Sequence, residues 1–177
     1  KNHKKSNFQI AENLYKKILE LNPNHFETIY HLGILLGQKK RFDLAEPLLK
    51  KAIQIQPHNA MIHNNLGNMQ GELGEYQKAI ISYEKAINIL PNYLDAHYNL
   101  GLVLQKLGEH KKAINSYEKA IEIQPNYAMA HNNLGILFQD LGENQKAKNF
   151  YKMAAKHDPQ NLFYLYLLCR IDEKILD

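Results

Sequence analysis

Apolar and small residues recur along the chain at helical spacings, in pairs of runs separated by a short break. Within residues 94–127, one set lies at i, i+3, i+4 and i+7 and so shares one face of a helix: His97, Leu100, Gly101 and Leu104. A second set after Gly108 is also helically spaced: Ala113, Ile114, Tyr117, Ala120 and Ile121. Pro125 ends the second helix, because proline has no N–H and its ring clashes with the preceding turn. The segment is therefore predicted to form two antiparallel helices.

The same pattern returns at a constant interval along the chain. Five of the six prolines mark this period: Pro23, Pro57, Pro91, Pro125 and Pro159. Residues 60–93 and 94–127 are identical at 20 of their 34 positions. A chain built from copies of one unit packs each copy against its neighbours, without a single central core. Positions within a repeat are numbered below from 1 to 34, starting at residues 26, 60, 94 and 128.

Residues at fixed positions of this unit identify a family. The unit resembles the tetratricopeptide repeat, whose Leu-Gly, Ala, aromatic, Ala and Pro positions are occupied here by Leu100-Gly101, Ala113, Tyr117, Ala120 and Pro125. The resemblance implies an all-α fold, a right-handed α-solenoid of antiparallel helix pairs with ten helices. We expect a single solenoid domain over residues 1–177, with these parts: a half repeat 7–25, full repeats 26–59, 60–93, 94–127 and 128–161, and a terminal helix 162–177.

The first full repeat departs from the others. It has Lys39-Lys40-Arg41 where the later repeats have Leu-Gly-Glu, and Pro47 lies near the start of its second helix. We expect a distorted turn or a delayed helix start there, with the fold intact.

The first helix of each repeat has a second, more polar stripe. It is shifted by two residues from the packing stripe and so lies about 200° away around the helix, facing the predicted concave groove. Position 6 is mostly asparagine: His31, Asn65, Asn99 and Asn133. The flanking residues that we expect in the groove are Tyr30, Asn64, Asn68, Tyr98 and Asn132.

An asparagine side chain both donates and accepts hydrogen bonds, so it can pair with the C=O and N–H of a peptide backbone. The column Asn65, Asn99 and Asn133 resembles the asparagine ladder in the superhelical tetratricopeptide domain of O-linked N-acetylglucosamine transferases. We therefore predict that the groove binds an extended polypeptide. The alternative is that the asparagines form only a solvated polar face.

Composition and charge exclude several classes of protein. The 177 residues carry a formal net charge of +4 and include one cysteine, Cys169, so neither an internal disulfide nor a cysteine zinc site can form. We expect a cytoplasmic protein with a buried, inert Cys169 thiol. No apolar stretch reaches the roughly 18 residues that a membrane span requires. The chain begins without Met, and we expect it to be a segment of a longer protein.

Catalysis and nucleic-acid binding are not expected. His63, His97 and His131 occur once per repeat, about 10 Å apart, which is too far to share a metal ion. We assign them to packing and predict no enzyme activity, no cofactor and no metal. The predicted groove has no basic character, because acidic residues accompany the cations: Glu27, Glu72, Asp95 and Asp140 beside Lys106 and Arg170. It also lacks the cations that chaperone-binding relatives use to hold a carboxylate.

The chain ends suggest further packing. The last helix is apolar on more than one side: Leu162, Phe163, Leu165, Leu167, Leu168, Ile171, Ile175 and Leu176. Finished solenoids usually have polar end faces. Two alternatives to a free-standing peptide-binding module therefore stay open: a substrate-presenting arm of a larger transferase, and a scaffold that forms a homo-oligomer through its terminal helices.

Overall fold

The computed structural model describes the backbone of residues 2–176 and the side chains of residues 7–171, and this part of the chain contains ten α-helices and no strand. In chain order the helices are α1 Asn2–Leu21, α2 Phe26–Gln38, α3 Phe42–Ile55, α4 Ala60–Glu72, α5 Tyr76–Ile89, α6 Leu94–Lys106, α7 His110–Ile123, α8 Ala128–Asp140, α9 Asn144–His157 and α10 Leu162–Leu176. The predicted all-α fold of repeated helix pairs is confirmed.

The helices form two compact units. Unit 1 is Lys1–Pro91 and contains α1 to α5, and unit 2 is Asn92–Asp177 and contains α6 to α10. Within each unit every helix packs against the next one along the chain. A residue of unit 1 corresponds to the residue two repeats later in the sequence, which lies in unit 2. The two units can therefore be compared position by position.

Close approach of the two helices in a pair depends on glycine at position 8. A Cβ placed on Gly101 of α6 would lie 2.6 Å from Cε1 of Tyr117 on α7, and Gly135 meets Tyr151 in the same way. Alanines on the second helix, such as Ala113, are fully buried. Small side chains here let the two helix axes approach closely.

The turn inside the first full repeat is not distorted, and that expectation was wrong. In the later repeats a glycine takes a left-handed conformation, as at Gly74 with φ 76°, and Glu75 N–H then donates to Gln70 O at 2.9 Å. Lys40 has a φ of 56°, and Arg41 N–H donates to Leu36 O at 2.9 Å. The same turn therefore forms with lysine in a conformation that normally favours glycine.

The start of α3 is not delayed by Pro47, so this alternative was wrong as well. The helix begins at Phe42, which corresponds to Tyr76, the first residue of α5, in the next repeat, and Pro47 lies inside α3. Proline removes one backbone hydrogen bond of the helix. The buried side chains of Ala45 and Leu49 still anchor α3 against its neighbours.

Candidate functional site

In unit 1, the position 6 asparagine is held by a tyrosine of the preceding repeat. Asn65 lies half-buried on α4, and its Nδ2 donates to the hydroxyl of Tyr30 on α2 at 2.8 Å. Burial raises the pKa of Tyr30 and outweighs the hydrogen bond from Asn65, which lowers it. The phenol is therefore neutral at physiological pH, and it fixes the orientation of the Asn65 amide.

Unit 2 contains the same pair two repeats later, with an additional tyrosine. Asn133 Nδ2 on α8 lies 3.2 Å from the hydroxyl of Tyr98 and 3.3 Å from that of Tyr117. Tyr117 in turn donates to Oε1 of Gln105 at 2.8 Å. Position 5 alternates between tyrosine and asparagine along the sequence. This alternation is the sequence feature that could have indicated a pair between a position 5 tyrosine and the position 6 asparagine of the next repeat.

The other two accessible asparagines also lie on first helices. Asn99 is half-buried on α6, at the same repeat position as Asn133. Asn68 is exposed on α4, and its Oδ1 accepts a hydrogen bond from the hydroxyl of Tyr83 at 2.9 Å. Four of the predicted asparagines, Asn65, Asn68, Asn99 and Asn133, are therefore at least partly accessible.

Asn64 and Asn132 correct the sequence prediction, because they lie in the interior and not in the groove. They are 3% and 8% exposed, respectively. Position 5 precedes the position 8 glycine by three residues, which places it only about 60° from that glycine around the helix. A short asparagine side chain stays inside there, whereas the longer Tyr30 and Tyr98 extend to the surface and are half-buried.

Three repeats have histidine at position 4, and two of these side chains, His63 and His131, are buried. Nε2 of each lies within hydrogen-bonding distance of a proline carbonyl six residues earlier, at 3.0 Å for His63 and 2.8 Å for His131. Burial lowers the pKa of His131, although the hydrogen bond to Pro125 O opposes this. Both rings brace the loop between repeats, in line with the packing role that we assigned to them.

Among the described residues, no group of three or more His, Cys, Asp or Glu side chains could hold a metal ion. The helices in this part of the chain also include none that is both long and apolar enough to cross a bilayer.

Cys169 is exposed, so the prediction of a buried thiol was wrong. Helix α10 buries Tyr164 and Ile171, which are seven residues apart and share one face. Cys169 is five residues after Tyr164 and therefore lies about 140° away around the helix.

Comparison with known proteins agrees with this architecture. Tetratricopeptide repeat profiles match residues 94–127, residues 67–108, and residues 14–46, 48–81 and 116–149. A comparison with curated protein sequences gives no match.

Solved structures with the same fold include three informative examples. A crystal structure of MamA is 33% identical, covers 92% of this chain and 95% of its own, and superposes with a TM-score of 0.82. PilF of Pseudomonas aeruginosa is 23% identical over 98% of this chain and 79% of its own, with a TM-score of 0.85. YrrB, described as a tetratricopeptide repeat protein with an unusual peptide-binding site, is 21% identical over 93% of this chain and 84% of its own, with a TM-score of 0.75. This chain belongs to the tetratricopeptide repeat family.

Proposed function

We propose that this protein-interaction module binds an extended polypeptide along its first helices, through the side-chain amides of Asn65, Asn99 and Asn133. The observation that supports the proposal most strongly is the fixed orientation of two of these amides. Tyr30 holds Asn65, and Tyr98 and Tyr117 hold Asn133.

Fixed amides favour binding because less conformational entropy is lost when a ligand arrives. An asparagine amide has two N–H donors and a carbonyl acceptor. Tyr30 accepts from Asn65 Nδ2, which leaves a second N–H donor on the same nitrogen. At Asn133 both N–H groups lie against the hydroxyls of Tyr98 and Tyr117, so its carbonyl Oδ1, which also accepts from Asn132 Nδ2 at 3.2 Å, is the group that would accept from a peptide N–H. Backbone groups occur in every peptide, so the proposed binding depends little on the peptide's side chains.

The spacing of the asparagines suits an extended chain. First helices of successive repeats, such as those of Asn99 and Asn133, are expected about 10 Å apart. An extended peptide rises about 3.3 Å per residue, so one asparagine would meet about every third residue. The resemblance of this column to the asparagine ladder of O-linked N-acetylglucosamine transferases belongs to the same proposal.

We also propose that the protein has no catalytic activity of its own and does not bind nucleic acid. Support for the second statement comes from the lysines of the second helices, which are paired with nearby carboxylates. Lys78 lies 2.9 Å from Glu75, and Lys112 lies 2.9 Å from Glu109. Pairs like these offset the positive charge that a phosphate backbone would need.

The experiment is binding to an array of random-sequence peptides by the wild type and by a triple variant. Replacing Asn65, Asn99 and Asn133 with alanine removes the proposed backbone contacts. We expect the wild type to bind many unrelated peptides and the variant to lose them together, with helicity by circular dichroism unchanged. Retention of binding by the folded variant would contradict the proposal.

A matched control separates the loss of these amides from the loss of asparagine in general. Three other asparagines are exposed and lie outside the proposed groove: Asn13, Asn92 and Asn126. Replacing these three with alanine changes composition equally, and we expect peptide binding at the wild-type level.

A second candidate function is self-association through the terminal helices. Helix α1 has an exposed apolar stripe at intervals of three and four residues: Ile10, Leu14, Ile18 and Leu21. On α10, Leu162 is 76% and Phe163 52% exposed, whereas the side chains of Ile175 and Leu176 lie outside the described residues. Light scattering over a concentration series tests this candidate, since only a self-associating scaffold grows reversibly with concentration.

A further inference from the structure

Unit 1 contains an open pocket beside Asn65 that sequence analysis did not identify. The pocket has a volume of about 260 Å³ and is bordered by residues of α2, α3 and α4. Gly33, Gly37 and Leu49 form part of its inner wall, and Asn65 and Asn68 also line it. It therefore lies directly beside the proposed peptide-binding surface.

The corresponding place in unit 2 is occupied by the protein's own side chains. Two repeats further along the sequence, Tyr117 takes the position of Leu49, Gln105 that of Gly37 and Asn133 that of Asn65. In unit 2 these three form one connected group, in which the Tyr117 hydroxyl donates to Gln105 and lies 3.3 Å from Asn133 Nδ2.

The pocket in unit 1 follows from two replacements in this group. Leu49 is shorter than tyrosine and has no hydroxyl, and Gly37 has no side chain to accept a hydrogen bond. A Cβ placed on Gly37 would have no atom within 4 Å, so the space above it is open. Unit 2 thus has the ring of Tyr117 at this place, whereas unit 1 has open space of about the size of a ring beside Leu49 and Gly37.

The lining is complementary to an uncharged, apolar group. Glu72 is the one charged residue among those that border the pocket, and its carboxylate already pairs with Lys40 Nζ at 3.0 Å. Leu49, Phe42 and Met69 supply apolar surface. A charged ligand side chain would lose its hydration there without a free partner of opposite charge.

We propose that this pocket receives the phenyl ring of a phenylalanine in the bound polypeptide. The proposal rests on the proposed peptide-binding function and adds a side-chain preference to it. A ring that enters from the surface directs its far edge towards Leu49 and Gly33. That end of the pocket is apolar, so phenylalanine fits better than tyrosine, whose hydroxyl would be buried there without a hydrogen-bond partner.

The proposal gives the two units different tasks. Unit 1 selects one side chain of the ligand, and the same place in unit 2 is closed by Tyr117. A peptide whose phenylalanine is bound in this pocket has a defined position relative to Asn65.

The test uses the small probe N-acetyl-phenylalaninamide and nuclear magnetic resonance of the isotope-labelled protein. The backbone amide signals of Gly33 and Gly37 report on the pocket. We expect saturable shifts of both signals with this probe, and at least tenfold weaker binding with N-acetyl-alaninamide. Equal shifts with both probes, or shifts elsewhere only, would overturn the proposal.

The double variant Leu49→Tyr with Gly37→Gln closes the pocket by copying the group found in unit 2. It should fold, because position 8 is glycine in both repeats, Gly33 facing Leu49 as Gly101 faces Tyr117. We expect at least tenfold weaker binding of the phenylalanine probe. The single variant Gly37→Gln serves if the double variant does not fold, because its Cβ enters open space. Unchanged probe binding by a folded variant would show that the ring binds elsewhere.

The reciprocal variant and the peptide array separate this proposal from the general one. Tyr117→Leu with Gln105→Gly should open the equivalent pocket in unit 2 and produce new probe shifts at Gly101. The single variant Gly37→Gln, which leaves Leu49 and Asn65 unchanged, should keep wild-type binding to array peptides that lack aromatic residues. If this single variant also loses these peptides, the side-chain pocket is refuted as a separate site. If the triple asparagine variant still binds these peptides, the backbone proposal is refuted.

Discussion

The close contact between glycine and tyrosine predicts that Gly101→Ala destabilises unit 2. The new Cβ would lie 2.6 and 2.7 Å from two ring carbons of Tyr117, well inside van der Waals contact. The ring cannot move away easily, because Tyr117 is fully buried and its hydroxyl is hydrogen-bonded to Gln105.

The magnitude follows from three opposing effects. Overpacking a buried site costs about 1–3 kcal/mol, and distortion of the Tyr117 hydrogen bond costs about 1 kcal/mol more. Replacing glycine by alanine inside a helix contributes about 1 kcal/mol in the other direction. We therefore expect a net loss of about 1–3 kcal/mol in the free energy of unfolding.

Gly37→Ala is the matched control, since the same substitution is made in a first helix but into open space. No atom lies within 4 Å of the added Cβ. Helix propensity then acts alone, and we expect a gain of about 0.5–1 kcal/mol.

Urea unfolding followed by circular dichroism measures both variants. We expect the urea midpoint to fall for Gly101→Ala and to rise for Gly37→Ala. If Gly101→Ala is as stable as the wild type, the glycine contact does not limit how closely α6 and α7 pack.

Three further predictions concern single side chains. Hydrogen bonds, first from Lys16 and then from Arg41, lower the pKa of Glu12. The stability of unit 1 should therefore decline as the pH falls below the ordinary glutamate range. Urea titrations at pH 7 and pH 3 should show a smaller pH dependence for Glu12→Gln than for the wild type. Burial raises the pKa of Tyr127 to about 12 and that of Tyr151 to about 12. Tyrosines of the unfolded chain ionise near pH 10, so unit 2 should lose stability between about pH 10 and 12, with the tyrosinate absorbance appearing together with unfolding. Exposed Cys169 should react with one equivalent of a thiol reagent in the folded protein, and protection until unfolding would contradict its exposure.

The helical repeat was predictable because its information is local. Proline at the end of each repeat and apolar residues at i, i+3, i+4 and i+7 determine where helices begin, end and pack. The turn at Lys40 was not predictable from residue type, because helix packing on both sides imposes a left-handed conformation on a lysine. The delayed start of α3 was predicted from Pro47 and is wrong for the same reason, because tertiary packing of Leu49 outweighs the loss of one helical hydrogen bond.

The candidate site was predicted in part. The sequence indicates which residues share the polar stripe, and Asn65 and Asn133 lie at a partly accessible surface. The sequence does not show how deeply a side chain is buried, so the buried Asn64 and Asn132 could not be distinguished from the accessible asparagines. The hydrogen bond between Asn65 and Tyr30 joins two different repeats, and it depends on how those adjacent repeats pack.

If asparagine amides bind the backbone of the ligand, N-methylation of the peptide should weaken binding. A peptide that binds in the array is compared with a version methylated at every third backbone nitrogen, which removes N–H donors but keeps all side chains. All three registers of methylation are measured against the wild type and against the variant with alanine at positions 65, 99 and 133. We expect one register to weaken wild-type binding at least tenfold, and we expect the variant no longer to distinguish the registers. Equal affinity of the wild type for all methylated and unmethylated peptides would contradict backbone binding.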